Sequence, residues 1–199
     1  MGRVTGQALR ERIVSEALAM VRAHGVGAVT MRQLAERLGY SPATIYLYFA
    51  NKEELLAEVA QVGFEELLAR SEPALGKPEA SEALDAGVRA YASFAFEEPE
   101  LYRLMFLQHE PGAAAQEASG ARARLWKLWR DVYARGADDG LGGSDADPET
   151  RTLLAWSLLH GLVTLALSRQ PLASLHEGRP VEEVREALVG RAAGILLAA

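Results

Sequence analysis

The run SPATIYLYFANK, Ser41 to Lys52, sets four hydroxyl side chains and one ammonium within twelve residues, with no carboxylate among them. Such a set cannot hold a metal ion or pass protons along a chain of acids and bases. It suits a polyanion with readable edges. Tyr48, Lys52 and the preceding Thr30 are fitted to phosphate oxygens, which fix register. The hydroxyls of Thr44 and Tyr46 can reach base edges in a major groove, and the Ala43 methyl can meet a thymine methyl. Ile45 and Phe49 lie four apart and share one helical face, so Ser41, Thr44, Tyr46 and Tyr48 must point elsewhere.

Short helices have to present these groups. Thr30, with Gln33 three residues on, is a capping-box pattern opening a two-turn helix at Met31 that Gly39 ends. Ser41 caps the next helix and Pro42 takes its first position, where a missing N–H is harmless; this helix runs to about Tyr48. Two short helices joined by a glycine-containing turn form a helix-turn-helix unit. Ile45 and Phe49 then pack on Leu34, Ala35 and Leu38, and the outer face of the second helix is free to enter a major groove. The same pattern also fits a plain helical hairpin inside a bundle, with the tyrosines half-buried.

Around this pair the apolar spacing predicts a first helix over about 7–24, closed by a left-handed glycine cap at Gly25. Asn51 and Glu54 repeat the cap signature at the head of a longer helix to about Arg70. A connector over 71–81 follows. Further helices are expected at about 80–97, 99–108, 115–138, 147–169 and 180–198, with Pro78, Pro99, Pro148 and Pro180 at or near their starts. The stretch 138–148 reads as a flexible loop. No run alternates with period two, so the fold class is all-α, with about nine helices.

The formal net charge of −6 hides an asymmetry. Residues 1–52 carry seven Lys and Arg against three Glu, a net +4 that leaves −10 for the rest. A basic first quarter on an acidic body can hold a polyanion locally. The absence of cysteine excludes disulfides, thiolate metal sites and a cysteine nucleophile. The N-terminal segment has charges inside its apolar pattern, and no run reaches the roughly 18 apolar residues of a span, so a soluble cytoplasmic protein is expected. His109-Glu110 and His176-Glu177 lack the second histidine of a zinc protease, and neither a nucleophile elbow nor a phosphate-cradling glycine loop is present. Asp145, Asp147 and Glu149 mimic the start of a calcium loop, but Thr150 stands where glycine is needed, so helix capping is the reading. No enzyme, cofactor or metal is expected.

The string GVGAVTMRQLAERLGYSPATIYLYFANKEELL, from Gly25 to Leu56, closely resembles the DNA-binding domain of the TetR family of bacterial transcriptional regulators. The likeness covers about residues 8–68. It implies a helix-turn-helix domain over 1–52, a linking helix over 51–70, and a helical ligand-binding and dimerisation domain over 71–199. It further implies that Thr30, Tyr48 and Lys52 hold phosphates while Arg32, Pro42, Ala43, Thr44 and Tyr46 lie nearest the bases, beside the cap Ser41. Leu47 sits where the family varies its side chain. No Arg, Asn or Gln occupies the face of the third helix, so strong bidentate readout must come from Arg32 or from the arm before helix one, where Arg3 and Arg10 are expected. Shape readout and a strong salt dependence are expected.

In the body, Leu153, Leu158 and Leu162, with Val184, Leu188 and Ile195, belong to helices apolar around more than one stripe. Pairing with a second copy in a four-helix bundle would cover them. Aromatic residues with a few polar handles make ligand pockets as well as cores. The candidates are Tyr91 and Phe94; Tyr102, Met105 and Phe106; Trp126, Trp129 and Tyr133; and Trp156 with His160. AWSLLHGL, residues 155–162, resembles the Trp-x-x-x-His-Gly signature of one class of C-terminal domain in the family, with Gly161 expected to permit close helix approach. The implied function is a ligand-responsive regulator, a repressor released from a palindromic operator by a small, largely apolar effector. The alternative is a helical small-molecule-binding protein with no operator of its own.

Overall fold

The computed structural model describes residues 6–108, 120–137, 141, 147–168 and 179–198. Every element among them is helical. The order is α1 (Gly6–His24), a 3-10 turn (Val26–Ala28), α2 (Met31–Leu38), α3 (Pro42–Tyr46), α4 (Lys52–Leu75), α5 (Ala80–Glu97) and α6 (Pro99–Arg103). A π-helical turn (Leu104–Gln108), α7 (Ala121–Gly136), α8 (Pro148–Leu167) and α9 (Val181–Ala198) complete it.

Side-chain caps start the helices where the sequence sets them. The Gln33 amide donates to the Thr30 hydroxyl at 3.2 Å, and the Thr44 amide to that of Ser41 at 3.2 Å. The Glu54 amide donates to Asn51 Oδ1 at 2.8 Å while its carboxylate reaches back to the Ala50 amide at 2.7 Å. Asp147 accepts from the Glu149 and Thr150 amides and so caps α8. At the other end of α2, Gly39 is left-handed, φ 76° and ψ 30°, and its N–H points back to the Ala35 and Glu36 carbonyls. Only glycine adopts that conformation at little cost.

Four expectations need correction. Gly25 has positive φ, but its ψ of 173° is extended, so the cap on α1 is a single bond from the Gly25 amide to the Val21 carbonyl rather than a left-handed motif. The third helix ends at Tyr46, because the Leu47 and Tyr48 amides bond three residues back, to Thr44 and Ile45, and tighten the last turn. The fourth helix runs to Leu75, through Pro73. Burial of Leu75 favours this last turn, and Arg135 donates to the Leu75 and Lys77 carbonyls at 2.6 and 3.0 Å, satisfying groups that the helix end leaves open. The segment 99–108 is α only to Arg103 before widening into the π turn. Residues 115–119 of the seventh expected helix, most of the 138–148 loop, and both His-Glu pairs lie outside the described residues.

Contacts divide the chain into two units: Met1–Glu65 with Glu98–Gln116, and Glu66–Glu97 with Glu117–Ala199. The first is built on α1, which packs on α2 and α6 around Ile13, Val21, Leu34, Ile45, Phe49 and Leu101. Gly63 of α4 admits the π turn: a methyl there would stand 2.5 Å from the Met105 sulfur. In the second, α5 packs on α7, α8 and α9 around Leu84, Val88, Phe94, Val132, Leu159 and Val163. Among the described residues α8 is the one helix long and apolar enough to cross a membrane. Its inward side packs on α5, α7 and α9, as a core helix of a helical unit does.

Phe49 is wholly buried and Tyr46 half-exposed, three residues apart. Phe49→Ala is therefore expected to remove about 3–5 kcal/mol from the stability of the first unit. Tyr46→Ala should change it by under about 0.5 kcal/mol, both read from urea midpoints.

Candidate nucleic-acid interface

The helix-turn-helix pair sorts its side chains by face. Leu34 and Ala35 of α2 and Ile45 and Phe49 beside them are fully buried. Thr30, Arg32, Ser41, Pro42, Ala43, Tyr46 and Leu47 are exposed, Tyr46 by 53% and Leu47 by 82%. Thr44, Tyr48 and Lys52 are half-buried. An exposed leucine and tyrosine side by side, on a helix whose other side is sealed, mark a surface made for contact. Ser41 and Thr44 hydroxyls lie 3.0 Å apart and Thr30 donates to the Gln33 side chain at 2.9 Å, so these groups are held in place as well as presented. Lys52 donates to the Val26 carbonyl at 2.9 Å, which ties the 3-10 turn before α2 to the head of α4 and engages one of its three ammonium protons. Tyr48 lies beside the start of α1, its hydroxyl 3.8 Å from where a Gly6 side chain would begin.

The cations of the basic first quarter divide by role. Arg10 bonds Glu58 at 2.8 Å and lies 4.7 Å over the Phe49 ring; it braces α1 against α4 and is not spare for base readout. Arg22 pairs with Glu98 at 2.9 Å and Arg37 with Glu16 at 2.8 Å. Arg12 and Arg32 are exposed and enter no ion pair among the described residues, and Arg3 lies outside them. Arg32 is the second residue of α2. Counting charges along the chain could not show this division, because Glu58 and Glu98 are distant in sequence.

The pocket candidates fall into three groups. Tyr91 and Phe94 of α5 and Trp129 and Tyr133 of α7 are buried in the second unit. Trp126, Trp156 and His160 are half-buried: the two indoles meet edge to face at 5.8 Å, and His160 stands 6.2 Å from Trp156. Burial pushes the His160 imidazole below its ordinary value. Tyr102, Met105 and Phe106 lie instead in the first unit, where the Phe106 ring is tilted against Tyr102 at 4.8 Å and meets Phe64 edge to face at 5.2 Å. Of the interface candidates, Leu153 and Ile195 are exposed and Leu158, Leu162 and Leu188 half-buried. Val184 is buried inside the chain against Ala166, with Phe96 and Leu188 packed on the pair. Leu154 and Leu165, outside that set of candidates, are more than half exposed; their spacing of eleven on α8 puts them on one side. Outside its own helix, no described residue of the chain lies within 4 Å of where a Gly161 side chain would begin.

Arg10 holds the Glu58 carboxyl below the usual range, against the opposing pull of burial. A carboxylate with a depressed folded pKa contributes stability above its unfolded value, about 4.3, and loses it as pH falls through the lower folded value. Glu58→Gln should therefore flatten the acid limb of stability below about pH 4.3, measured by urea unfolding across pH, with operator affinity at neutral pH unchanged.

Residues 13–59 match the model of the bacterial regulatory proteins of the tetR family, and residues 84–192 that of the tetracyclin repressor-like C-terminal domain. The HTH-type transcriptional repressor KstR of Mycolicibacterium smegmatis is 30% identical over 182 residues, which cover 82% of this chain and 84% of that protein. A solved protein of unknown function from Rhodococcus sp. RHA1 is 30% identical with a TM-score of 0.74, covering 95% of both chains. The TetR family transcriptional regulator PfmR of Thermus thermophilus is 25% identical with a TM-score of 0.65, covering 92% of this chain and 97% of that one. With a sealed helix-turn-helix pair whose outer face is hydroxylic, and matches running through both units, the chain belongs to the TetR family of ligand-responsive, DNA-binding transcriptional regulators.

Proposed function

We propose that the protein is a cytoplasmic homodimeric repressor that occupies a palindromic operator and leaves it when a small, largely apolar molecule binds. The observation that carries the reading is the division of α3 and the turn that follows it: Ile45 and Phe49 wholly buried, Tyr46 and Leu47 widely exposed. The repressor named among its relatives, 30% identical, supports repression as the sense of control. DNA binding is assigned to residues 1–52, with α4 as the link, and ligand binding and dimerisation to 71–199. Thr30, Tyr48 and Lys52 hold phosphates. Arg32, Pro42, Ala43, Thr44 and Tyr46 face the bases, Ser41 positions α3, and Leu47 touches a sugar or a thymine methyl.

Two copies are needed because each α3 covers one major groove, and successive grooves on one side of DNA recur about every 34–36 Å. Leu153, Leu154, Leu165 and Ile195 are the exposed apolar residues that a second copy would cover, with Leu158, Leu162 and Leu188 at the edge. The effector site is assigned to the aromatic residues Tyr91, Phe94, Trp129 and Tyr133. Trp156 and His160, one turn apart, keep the Trp-x-x-x-His-Gly pattern, and their ring contact supports membership of that class of C-terminal domain. An effector acts only through unequal affinity for the DNA-competent and DNA-incompetent arrangements, and by linkage operator DNA weakens effector binding by the same factor.

A mobility shift on the DNA beside its own gene tests the reading: retardation, reversed by an effector, is expected, and no retardation would contradict it. On that DNA, Lys52→Ala should weaken binding on all sequences alike and lower the salt slope by about one. Arg32→Ala should cost about 1–3 kcal/mol and relax preference at one position of each half-site. Light scattering should give twice 21.5 kDa for the native chain, and Leu165→Glu with Ile195→Glu should give the monomer.

A further inference from the structure

Arg151 is 6% exposed, in the first turns of a helix whose other buried residues are Thr152, Ala155, Leu159, Val163 and Ala166. One of its nitrogens, Nη1, donates to the Leu141 carbonyl at 2.6 Å; Nε has no hydrogen-bond partner. No ion pair among the described residues includes it, although Arg130, on α7, pairs with both Asp131 and Glu149. The nearby Asp147 is taken up by the Glu149 and Thr150 amides and the Thr150 hydroxyl. A guanidinium has five N–H donors, and a buried cation without a counter-charge is costly. The start of a helix, where the backbone dipole is positive, makes it costlier.

The surroundings explain why such a cost would be kept. Tyr133 of α7, 1% exposed, lies within the field of Arg151. Burial raises its phenol to about 12, so at neutral pH it remains a hydrogen-bond donor. Trp129 stands one turn before Tyr133 on the same face of α7 and reaches α5 at Gly87, where a methyl would lie 3.3 Å from the indole. Trp129 and Tyr133 thus share one face of α7, and Arg151, which has no counter-charge among the described residues, acts on the phenol from within the same unit.

We propose that Arg151, with the Tyr133 hydroxyl, is the anion subsite of the effector site, and that the effector is an amphipathic acid. Its carboxylate or phosphate head sits on Arg151 and its apolar body runs along Trp129 toward α5. This rests on the ligand-responsive reading and narrows it, since that reading asks only for an apolar molecule.

The test uses the full-length protein and three probes with one tail, decanoate, decyl phosphate and decanol, each below its micelle concentration, read by thermal melting and by release of operator DNA. Either acid is expected to raise the melting temperature well beyond decanol; the acid that raises it more identifies the head group. Arg151→Met is expected to melt no lower than the native protein without ligand and to bind the acids at least tenfold more weakly, with decanol unaffected. Tyr133→Phe, which keeps the volume, should also weaken the acids. Acids that stabilise the native protein no better than decanol, or that stabilise both variants as fully as the native chain, would overturn the proposal. Should Arg151→Met not fold, an unchanged acid response in Tyr133→Phe overturns it alone. Changing Asp138, Asp139 and Asp145 together to Asn should leave the melting temperature unchanged. A fall that Arg151→Met cancels would make one of those acids the internal counter-ion and also overturn it. Operator release by decanol without acid preference sinks only the acid head; acid binding that leaves the operator in place sinks the ligand-responsive reading and spares the subsite.

Discussion

A helix of five residues has no stability of its own, so α3 exists because Ile45 and Phe49 are sealed against α2 and because Ser41 and Pro42 set its first turn. That single packed seam has two consequences. It fixes the angle at which the opposite face, with Ala43, Tyr46 and Leu47, is offered to solvent. It also relieves that face of structural duty, which is why a short helix can end on an exposed tyrosine, Tyr46, followed by an almost fully exposed leucine, Leu47, without loss.

The charges serve the same seam. Arg10, lying over Phe49 and bonded to Glu58, joins α1 to α4 across the back of α3, while Arg22 ties α1 to Glu98. Exposed pairs of this kind contribute little singly; their use is to set which cations are committed and which remain. Lys52 is shared between the Val26 carbonyl and solvent, and Arg12 and Arg32 enter no ion pair among the described residues, so the uncommitted positive charge lies on α1, on α2 and at the head of α4. The face itself, with Ala43, Thr44, Tyr46 and Leu47, is methyl, hydroxyl and aliphatic and carries no charge of its own.

What the sequence showed and what it hid follow the range of the interactions. Caps and turn glycines are local, so Thr30, Ser41, Asn51, Asp147 and Gly39 were legible, as was the two-faced division of α3. Terms that depend on distant partners were not. The persistence of α4 through Pro73 depends on Arg135, sixty residues on, and the commitment of Arg10 depends on Glu58. Aromatic density alone could not separate Tyr102, Met105 and Phe106, packed with Phe64 in the first unit, from Tyr91, Phe94, Trp129 and Tyr133 in the second. Likewise the apolar run of α9 did not distinguish Val184, turned inward, from Ile195, turned out.

The most direct test of α3 as the DNA-reading element is a tyrosine nitration footprint read by mass spectrometry, with and without the DNA flanking the gene. Tyr46 should react readily in the free protein and be protected when DNA is bound, with the buried Tyr102 and Tyr133 unreactive in both states. Bound DNA that leaves Tyr46 as reactive as before would contradict it.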